Sequence, residues 1–161
     1  MNKVYLANGL FSESDFNYNA YIAKRLREEI PNIDLYVPQE NGEINDKNQY
    51  ADSLAIAKAD YSKVKDSDVL IAVLEGSEID SGVAAEIGGA HALGKKVIGL
   101  STDSRTQGRE NPDKVSALVE DPFENQFKYF NLYVIGLVKD SGGKMVTSVD
   151  ALVESVKEAL K

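Results

Sequence analysis

The amino-acid sequence predicts an α/β fold: a doubly wound, five-stranded parallel sheet in the flavodoxin-like order 2-1-3-4-5, with helices on both faces. Short β-branched runs alternate along the chain with longer stretches of helical period, which is typical of βαβ units. The run "DVLIAVL", residues 68–74, is apolar almost throughout, as expected of a central strand that is covered on both faces. A chain of 161 residues, 43% of them hydrophobic, is long enough for one well-packed domain over residues 1–161.

The predicted strands are short, and the segments between them leave room for crossover helices. The strands cover residues 3–7, 33–37, 68–74, 96–100 and 144–148. The first helix begins at capping serines and covers residues 12–30, because Pro31 then stops it. An apolar stripe at spacings of four and three residues predicts the second helix. The stripe consists of Tyr50, Leu54, Ala57, Tyr61 and Val64.

The last third of the chain predicts a loop and two further helices. Residues 101–114 are polar and rich in turn-forming residues, which is typical of a mobile surface loop. One helix is expected over residues 127–143, where a glycine pair ends it, and an amphipathic helix over 148–161. The segment 127–138 is apolar around most of its circumference and rich in aromatic residues, so we expect it to pack against a second copy of the chain.

Composition excludes several classes of function. The chain has no cysteine and one histidine, which leaves little for zinc, iron–sulfur or thiol chemistry, and we expect no metal. A net charge of -8 without a basic stripe argues against nucleic acid and anionic membranes as partners. No stretch of 18 apolar residues occurs, and the start lacks the long apolar core of a signal peptide, so we expect a soluble, cytoplasmic protein.

The predicted strand order locates a ligand crevice. In this order the crevice opens at the carboxyl ends of the first and third strands, where the winding reverses. The loops at residues 7–11 and 75–82 then line it, Tyr5 lies near the end of the first strand, and Glu86 lies about one turn into the next helix. The candidate substrate-binding residues in the two loops are Asn8, Gly9, Asp80 and Gly82.

Glu86 is the one charged residue between Ser81 and Gly94. Its neighbours on the same helix face are small or apolar, so none of them can neutralise it. An ionised carboxylate in such surroundings needs hydrogen-bond donors or an aqueous pocket. It is therefore either a structural carboxylate, held by backbone amides or a buried tyrosine, or a functional one. A carboxylate at a ligand crevice can attack an anomeric carbon or act as a general base for water.

Three segments together resemble the nucleoside 2-deoxyribosyltransferase family. They are "KVYLANGLF" (3–11), "DYSKVKDSDVLIAVL" (60–74) and "DSGVAAEIGGAHALGKKV" (80–97). The family segment D-x-G-x-x-x-E-[IL]-G-x-A carries a nucleophilic glutamate, and the later "NLYVIG" (131–136) resembles a segment donated to a neighbouring subunit's active site. The resemblance implies exchange of a purine or pyrimidine base on 2-deoxyribose through a covalent deoxyribosyl-enzyme, without a cofactor, in a pathway of nucleoside salvage.

The resemblance also implies a role for five residues. Glu86 falls on the nucleophile, Tyr5 on the tyrosine that orients it, and Asp60 on the acid that protonates or hydrogen-bonds the departing base. Asp80 falls on the aspartate that holds sugar hydroxyls, and Asn131 on the asparagine contributed by the adjacent protomer of a homo-oligomer. Without the resemblance, the sequence favours a solvated carboxylate at Asp60. It leaves two interpretations equally open for Tyr5, a site residue or core packing, and two for Asn131, a site residue or a polar group buried in a helix.

Two alternatives to transfer remain open at this point. A related branch of deoxynucleotide N-hydrolases cleaves 5-phosphorylated substrates with a similar glutamate. Here the second crevice loop presents Glu75, Glu78 and Asp80, which would repel a phosphate and so favour an unphosphorylated nucleoside. A noncatalytic nucleoside or nucleotide sensor on the same scaffold is the other alternative, since a fold does not determine a function.

Overall fold

The computed structural model describes residues 2–46, 48 and 50–161, and its sheet contains five parallel strands. The strands are β1 (Asn2–Ala7), β2 (Ile33–Tyr36), β3 (Val69–Val73), β4 (Lys96–Leu100) and β5 (Lys144–Val146). Their order is β2-β1-β3-β4-β5, so the predicted fold class and strand order are confirmed. All five residues of the central strand β3 are buried, as its continuous apolar run predicts.

Seven helices connect or follow these strands in the described part of the chain. They are α1 (Glu13–Glu29), α2 (Gly42–Asn45), α3 (Ser53–Asp66), α4 (Ser81–Ala92), α5 (Pro112–Glu120), α6 (Leu132–Asp140) and α7 (Val149–Ala159). A capping box starts α1, in which the Ser12 side chain accepts from the Asp15 amide and the Asp15 carboxylate accepts from the Ser12 amide. None of the helices in the described ranges is long and apolar enough to cross a membrane.

Two hydrophobic clusters fill the space between the sheet and its helices. One contains Leu6 of β1 with Ile22 of α1 and Leu152 of α7. The other contains Tyr5 of β1 with Ile87 of α4, and α3 and α6 also contribute to it. Successive residues of a strand point to opposite faces. Tyr5 therefore lies on the same face of the sheet as α4, the helix that carries the candidate nucleophile.

The apolar stripe of the second predicted helix is only partly buried. Helix α3 begins at Ser53, so Tyr50 lies before it and is 91% exposed. Leu54 and Tyr61 also remain more than half exposed, and Val64 is the buried residue of α3. Only the carboxyl-terminal part of α3 packs on the sheet, and the rest of the stripe forms an apolar surface.

The later part of the chain differs from the sequence-based expectations in two places. The helix expected from residue 127 begins at Leu132, because the Asn131 side chain accepts from the amides of Tyr133 and Val134 and so caps its start. Helix α5 was not predicted. Its signal is the pair Asn111–Pro112, a capping residue followed by proline at the first helical position.

Candidate active site

Tyr5 and Glu86 form the centre of the candidate site. Tyr5 is fully buried on β1, next to the central strand, and Glu86 is the sixth residue of α4. The Tyr5 hydroxyl donates a short hydrogen bond to Oε1 of Glu86. The carboxylate therefore has the buried tyrosine partner that a structural role would require, and this partner also fixes its orientation for chemistry.

Burial changes the protonation of this pair. It raises the pKa of Glu86 from 4.5 to about 7. The Tyr5 hydrogen bond lowers that pKa, while the negative charges of Asp60 and Asp80 raise it. Burial and the charge of Glu86 raise the pKa of Tyr5 far above its ordinary value, so the phenol stays protonated and remains a donor. Near neutral pH, Glu86 is thus divided between its ionised and protonated forms.

Asp60 of α3 lies close to Tyr5 and Glu86. Its charge affects the pKa of both residues. Burial raises the pKa of the Asp60 carboxyl, and its Oδ1 atom is buried without a hydrogen-bond partner among the described residues. A buried carboxyl oxygen without a partner costs free energy, so it is suited to a ligand that supplies one. Because this oxygen is buried, Asp60 is not the solvated carboxylate that its sequence alone favoured.

A cavity of about 250 Å³ between α3 and α4 is lined by both Asp60 and Glu86. The rest of its lining is mostly small or apolar and consists of Ala57, Tyr61, Val64, Gly82, Ala85 and Gly89. Glycine and alanine along this side of α4 leave the room that the sequence suggested. Two carboxyl groups with raised pKa values therefore meet at one cavity, an arrangement that frequently marks a functional site.

A second cavity, of about 620 Å³, lies at the carboxyl ends of β1 and β3 and is lined by Asn8, Gly9 and Asp80. It is the crevice that the strand order predicts. The Asp80 carboxylate accepts from the Val83 amide at 3.0 Å and so caps α4. A Cβ at Gly82 would lie 3.0 Å from Oδ1 of Asp80, so glycine at this position leaves the capping carboxylate its space.

Sequence reasoning did not identify Asn19, which holds the first crevice loop. Asn19 is 3% exposed on α1. Its Oδ1 accepts from Nδ2 of Asn8 at 2.7 Å, and its Nδ2 donates to the Gly9 carbonyl at 3.0 Å and to Oε1 of Gln39 at 2.9 Å. The available signal was an asparagine three and four residues before Ile22 and Ala23, on the buried face of the helix.

Asn131 lies apart from the other candidate residues. It lines a third cavity, of about 370 Å³, together with Lys128, Glu78 and Ala84. Ala84 and Glu86 are two residues apart on α4, so their side chains point to nearly opposite sides of the helix. Within one chain, α4 therefore separates Asn131 from the cavity of Asp60 and Glu86.

The described residues contain no group of three or more histidine, cysteine, aspartate or glutamate side chains that could hold a metal ion. The arrangement offers instead one carboxylate oriented by a phenol, a second carboxyl beside it, and a polar crevice next to both. These groups are suited to nucleophilic attack on an electrophilic carbon with proton delivery to the leaving group.

Comparison with known proteins identifies a family and similar structures. The family model "Nucleoside 2-deoxyribosyltransferase" matches residues 4–148. The crystal structure of a conserved protein from Enterococcus faecalis V583 is similar over 99% of both chains, with 49% identity and a TM-score of 0.92. A search of curated proteins finds no significant match.

Two enzymes of known activity share the fold at lower identity. The 2-deoxyribosyltransferase from Bacillus psychrosaccharolyticus is 18% identical with a TM-score of 0.64, over 94% of this chain and 90% of that one. The CMP N-glycosidase BcmB from Clostridium botulinum is 19% identical with a TM-score of 0.55, over 99% of this chain and 100% of that one.

Proposed function

Since the chain belongs to the nucleoside 2-deoxyribosyltransferase family, we propose that it transfers 2-deoxyribose between the purine or pyrimidine bases of deoxynucleosides by double displacement. One observation carries this proposal: the buried carboxylate of Glu86, oriented by the Tyr5 hydroxyl, shares a cavity with the second carboxyl of Asp60. Nucleophile and acid are the two groups that cleavage of an N-glycosidic bond requires.

In the first half-reaction, an oxygen of Glu86 attacks the anomeric carbon while the bond from that carbon to the base nitrogen breaks. The electron pair of this bond leaves with the base, and the proton of Asp60 passes to the base. Positive charge develops on the anomeric carbon and ring oxygen, and the adjacent carboxylate stabilises it before the ester forms. In the second half-reaction a nitrogen of the incoming base attacks the anomeric carbon, the bond from that carbon to the Glu86 oxygen breaks so that Glu86 leaves as carboxylate, and Asp60 takes up the proton of that nitrogen. Ping-pong kinetics follow from this sequence.

The two carboxyl groups must carry one proton between them for this chemistry. Each negative charge makes ionisation of the other carboxyl less favourable, so the Asp60–Glu86 pair retains a proton at a higher pH than two separate carboxyls would. The hydrogen bond from Tyr5 favours the ionised form of Glu86. Burial also favours the protonated form of Asp60, and we propose that the proton of the pair resides on Asp60 when the base departs.

The crevice favours a substrate without a phosphate group. Four carboxylates line it, those of Asp15, Glu75, Glu78 and Asp80. A 5′-phosphate would bring two further negative charges into this space, whereas sugar hydroxyls can donate hydrogen bonds to carboxylates. We therefore propose deoxynucleosides, rather than deoxynucleotides, as substrates, with Asp80, Gly82, Asn8 and Gly9 around the sugar.

Hydrolysis is the second candidate, and the fold shared with the CMP N-glycosidase favours considering it. The same deoxyribosyl-enzyme is hydrolysed if water attacks it in place of a base. One experiment separates the candidates: incubation of the protein with deoxyinosine, with and without adenine, followed by chromatography. Transfer produces deoxyadenosine, and hydrolysis produces hypoxanthine and free deoxyribose without adenine. If neither product forms, the result supports a noncatalytic sensor and contradicts the proposal.

We further propose that the active site is shared between subunits of a homo-oligomer, with Asn131 acting on a neighbour's substrate. Around Asn131 the surface is apolar and exposed, with Tyr129 at 74%, Leu132 at 78% and Tyr133 at 75% exposure. Such a patch is unusual on a monomer and is typical of an interface. Oδ1 of Asn131 caps α6, and its Nδ2 donates to no other group in the described ranges, so this nitrogen can donate to a substrate.

Complementation tests the shared site. Glu86→Gln and Asn131→Ser are co-expressed with different tags, and mixed oligomers are purified by both tags; serine keeps a capping oxygen but lacks the amide donor. A mixed oligomer with shared sites contains one site with both groups intact, so activity should recover above that of either parent. A monomer by sedimentation, or mixed oligomers without recovery, would contradict the shared site.

A further inference from the structure

Residues 101–107, expected to be mobile, are held by a dense set of contacts centred on Asp103. The Asp103 carboxylate accepts from the Arg105 amide and Nε at 2.9 Å each, and from Nη2 of Arg105 at 2.5 Å. Its side chain is 14% exposed, and the Arg105 guanidinium holds the pKa of this carboxyl far below its usual range. The backbone carbonyl of Asp103 accepts from the Thr106 hydroxyl at 2.7 Å.

Lys128 is the second cation of this group. Its side chain is 4% exposed, and Nζ lies 3.6 Å from Oδ2 of Asp103 without a hydrogen-bond partner in the part of the chain that the structure describes. The Lys128 amide donates to the Arg105 carbonyl at 3.2 Å. A buried ammonium is stable only beside a compensating charge, and removal of that charge is strongly destabilising. We call Asp103, Arg105 and Lys128 the Asp103 cluster.

The Asp103 cluster joins the crevice to the segment 127–131. On the crevice side, Oε1 of Glu75 accepts from the amide and hydroxyl of Thr102 at 2.7 and 2.8 Å. On the other side, Lys128 lies three residues before Asn131 in the chain. Hydrogen bonds, an ion pair and short stretches of backbone thus connect a crevice residue, the Asp103 cluster and the asparagine proposed to act on a neighbour's substrate.

A second cation holds the same segment at its start. Nζ of Lys114 donates to the Gln107 carbonyl at 2.9 Å and lies 4.3 Å from the centre of the Phe127 ring. Tyr129, the residue after Lys128, is largely exposed, whereas Phe130 packs against the hydrophobic cluster that contains Ile87. The position of the segment is therefore determined by charge pairs and the backbone hydrogen bond of Lys128 together with the packing of Phe130.

We propose that Asp103 is a positioning residue for Asn131: by holding Lys128, it fixes the segment 127–131 where Asn131 can reach the substrate of a neighbouring subunit. The inference rests on the proposed shared site. Without Asp103, the ammonium of Lys128 moves to solvent and displaces the backbone that leads to Asn131. A displacement of about 1 Å at a substrate-positioning group can lower turnover by about 100-fold. Asp103 touches no reacting atom in this account, so its effect on catalysis is exerted entirely through Asn131.

The test uses Asp103→Ala in the full chain, in the same mixed-oligomer assay. Alone, Asp103→Ala should lower deoxyribosyl transfer about as far as Asn131→Ser does. The double variant Asp103→Ala, Asn131→Ser should be no less active than the less active of the two single variants. Mixed oligomers of Asp103→Ala with Glu86→Gln should recover activity, because the Glu86→Gln subunit supplies an intact segment. Mixed oligomers of Asp103→Ala with Asn131→Ser should not recover, because both subunits lack a working segment.

Two controls distinguish positioning from loss of folding. Asp113→Ala removes an exposed aspartate in the first turn of α5 and should leave activity unchanged. The double variant Asp103→Ala, Lys128→Met removes the buried charge as well and should regain much of the lost activity, because a buried ion pair can be replaced by apolar side chains. No regain by the double variant, with both proteins folded by circular dichroism, would overturn the proposal.

The outcomes separate this inference from the function on which it rests. If Asn131→Ser complements Glu86→Gln but Asp103→Ala does not, the shared site stands and the role of Asp103 is wrong. If neither variant complements Glu86→Gln although mixed oligomers form, the shared site itself is wrong. Full activity of Asp103→Ala alone would also overturn the positioning role.

Discussion

Two aspartates of the chain, Asp60 and Asp103, have opposite electrostatic environments. Asp60 shares a cavity with Glu86, and neither carboxyl forms an ion pair with a basic residue in the described ranges. Asp103 is paired with Arg105 and Lys128. Burial therefore raises the pKa of Asp60, whereas Arg105 lowers that of Asp103. The same type of side chain thus keeps an unpartnered oxygen at Asp60 and has two charged partners at Asp103.

This contrast teaches how to distinguish reactive from structural carboxylates in the chain. A structural carboxylate has its lone pairs occupied by donors that the fold supplies, as Asp103 does. In the Asp60–Glu86 pair, Oδ1 of Asp60 has no partner among the described residues and the pKa of Glu86 is raised to about 7, and neither feature stabilises the free protein. Variants on the two sides of the contrast should therefore differ in both activity and stability.

Replacement of the proposed nucleophile should have the largest effect. Glu86→Gln keeps the size of the side chain but removes the attacking oxygen anion, so transfer should fall by at least about 10⁴-fold. Chromatography of deoxyinosine and adenine reactions measures the loss, and thermal unfolding verifies that the fold survives. Residual transfer within about tenfold of wild type would place the nucleophile elsewhere.

Replacement of the proposed acid should have the next largest effect. Asp60→Asn removes the proton donor and should lower transfer by about 10²- to 10⁴-fold for ordinary bases. A deoxynucleoside whose base already carries a positive charge, such as 7-methylguanine, needs no proton to leave and should be much less affected. Equal losses for both substrates would contradict the acid role of Asp60.

The pH dependence should reverse in one variant. With wild-type protein, kcat/KM should fall as pH is raised through about 7, because the Asp60–Glu86 pair then loses the one proton that the departing base needs. Tyr5→Phe removes a hydrogen bond that stabilises the ionised form of Glu86, so this limb should move to higher pH. In Asp60→Asn only the nucleophile titrates, so the residual kcat/KM should instead fall as pH is lowered. A limb of the same sign in wild type and Asp60→Asn would contradict the shared proton.

The smallest effect is on stability, and its sign differs between the two sides of the contrast. The folded-state pKa of Glu86, about 7, lies above its unfolded value, so ionisation destabilises the fold above that pH. Glu86→Gln should therefore be more stable than wild type by about 1–3 kcal/mol at pH 8. This gain should disappear as pH falls toward 4.5, the ordinary value for the carboxyl.

Asp103→Asn provides the matched comparison for stability. The pKa of Asp103 is lowered in the folded state, so its ionised form stabilises the fold above its unfolded pKa. Asp103→Asn should be less stable than wild type at pH 8, and the difference should shrink as pH falls through the acid range. Urea unfolding of both variants at several pH values measures these changes. A loss of stability for Glu86→Gln at pH 8 would contradict the contrast.

The fold and the centre of the candidate site followed from patterns that are local in sequence. Strand and helix periods predicted the sheet order, and one charged residue in an apolar helix drew attention to Glu86. The position of Asn131 at a helix start was also encoded locally, since asparagine is a favoured cap. The surrounding apolar run suggested a longer helix and concealed that signal.

Other features depend on contacts between residues that are distant in the chain. Asn19 forms hydrogen bonds with loops that precede and follow it in the chain, and Lys128 pairs with an aspartate 25 positions earlier. No local sequence pattern identifies these partners. The apolar stripe of α3 reveals another limit. A helical wheel reports which face is apolar but not what covers it, and much of this face is exposed in the single chain, as at Leu54 and Tyr61.

The most direct test of the central claim is to trap the intermediate. Wild-type protein is mixed with a deoxynucleoside without an acceptor base, quenched in acid and examined by intact-mass and peptide mass spectrometry. The account predicts the added mass of one deoxyribosyl group on the peptide containing Glu86, absent from Glu86→Gln and discharged when adenine is added before the quench. An adduct on another residue would contradict the claim, as would transfer without any adduct under conditions that saturate the site.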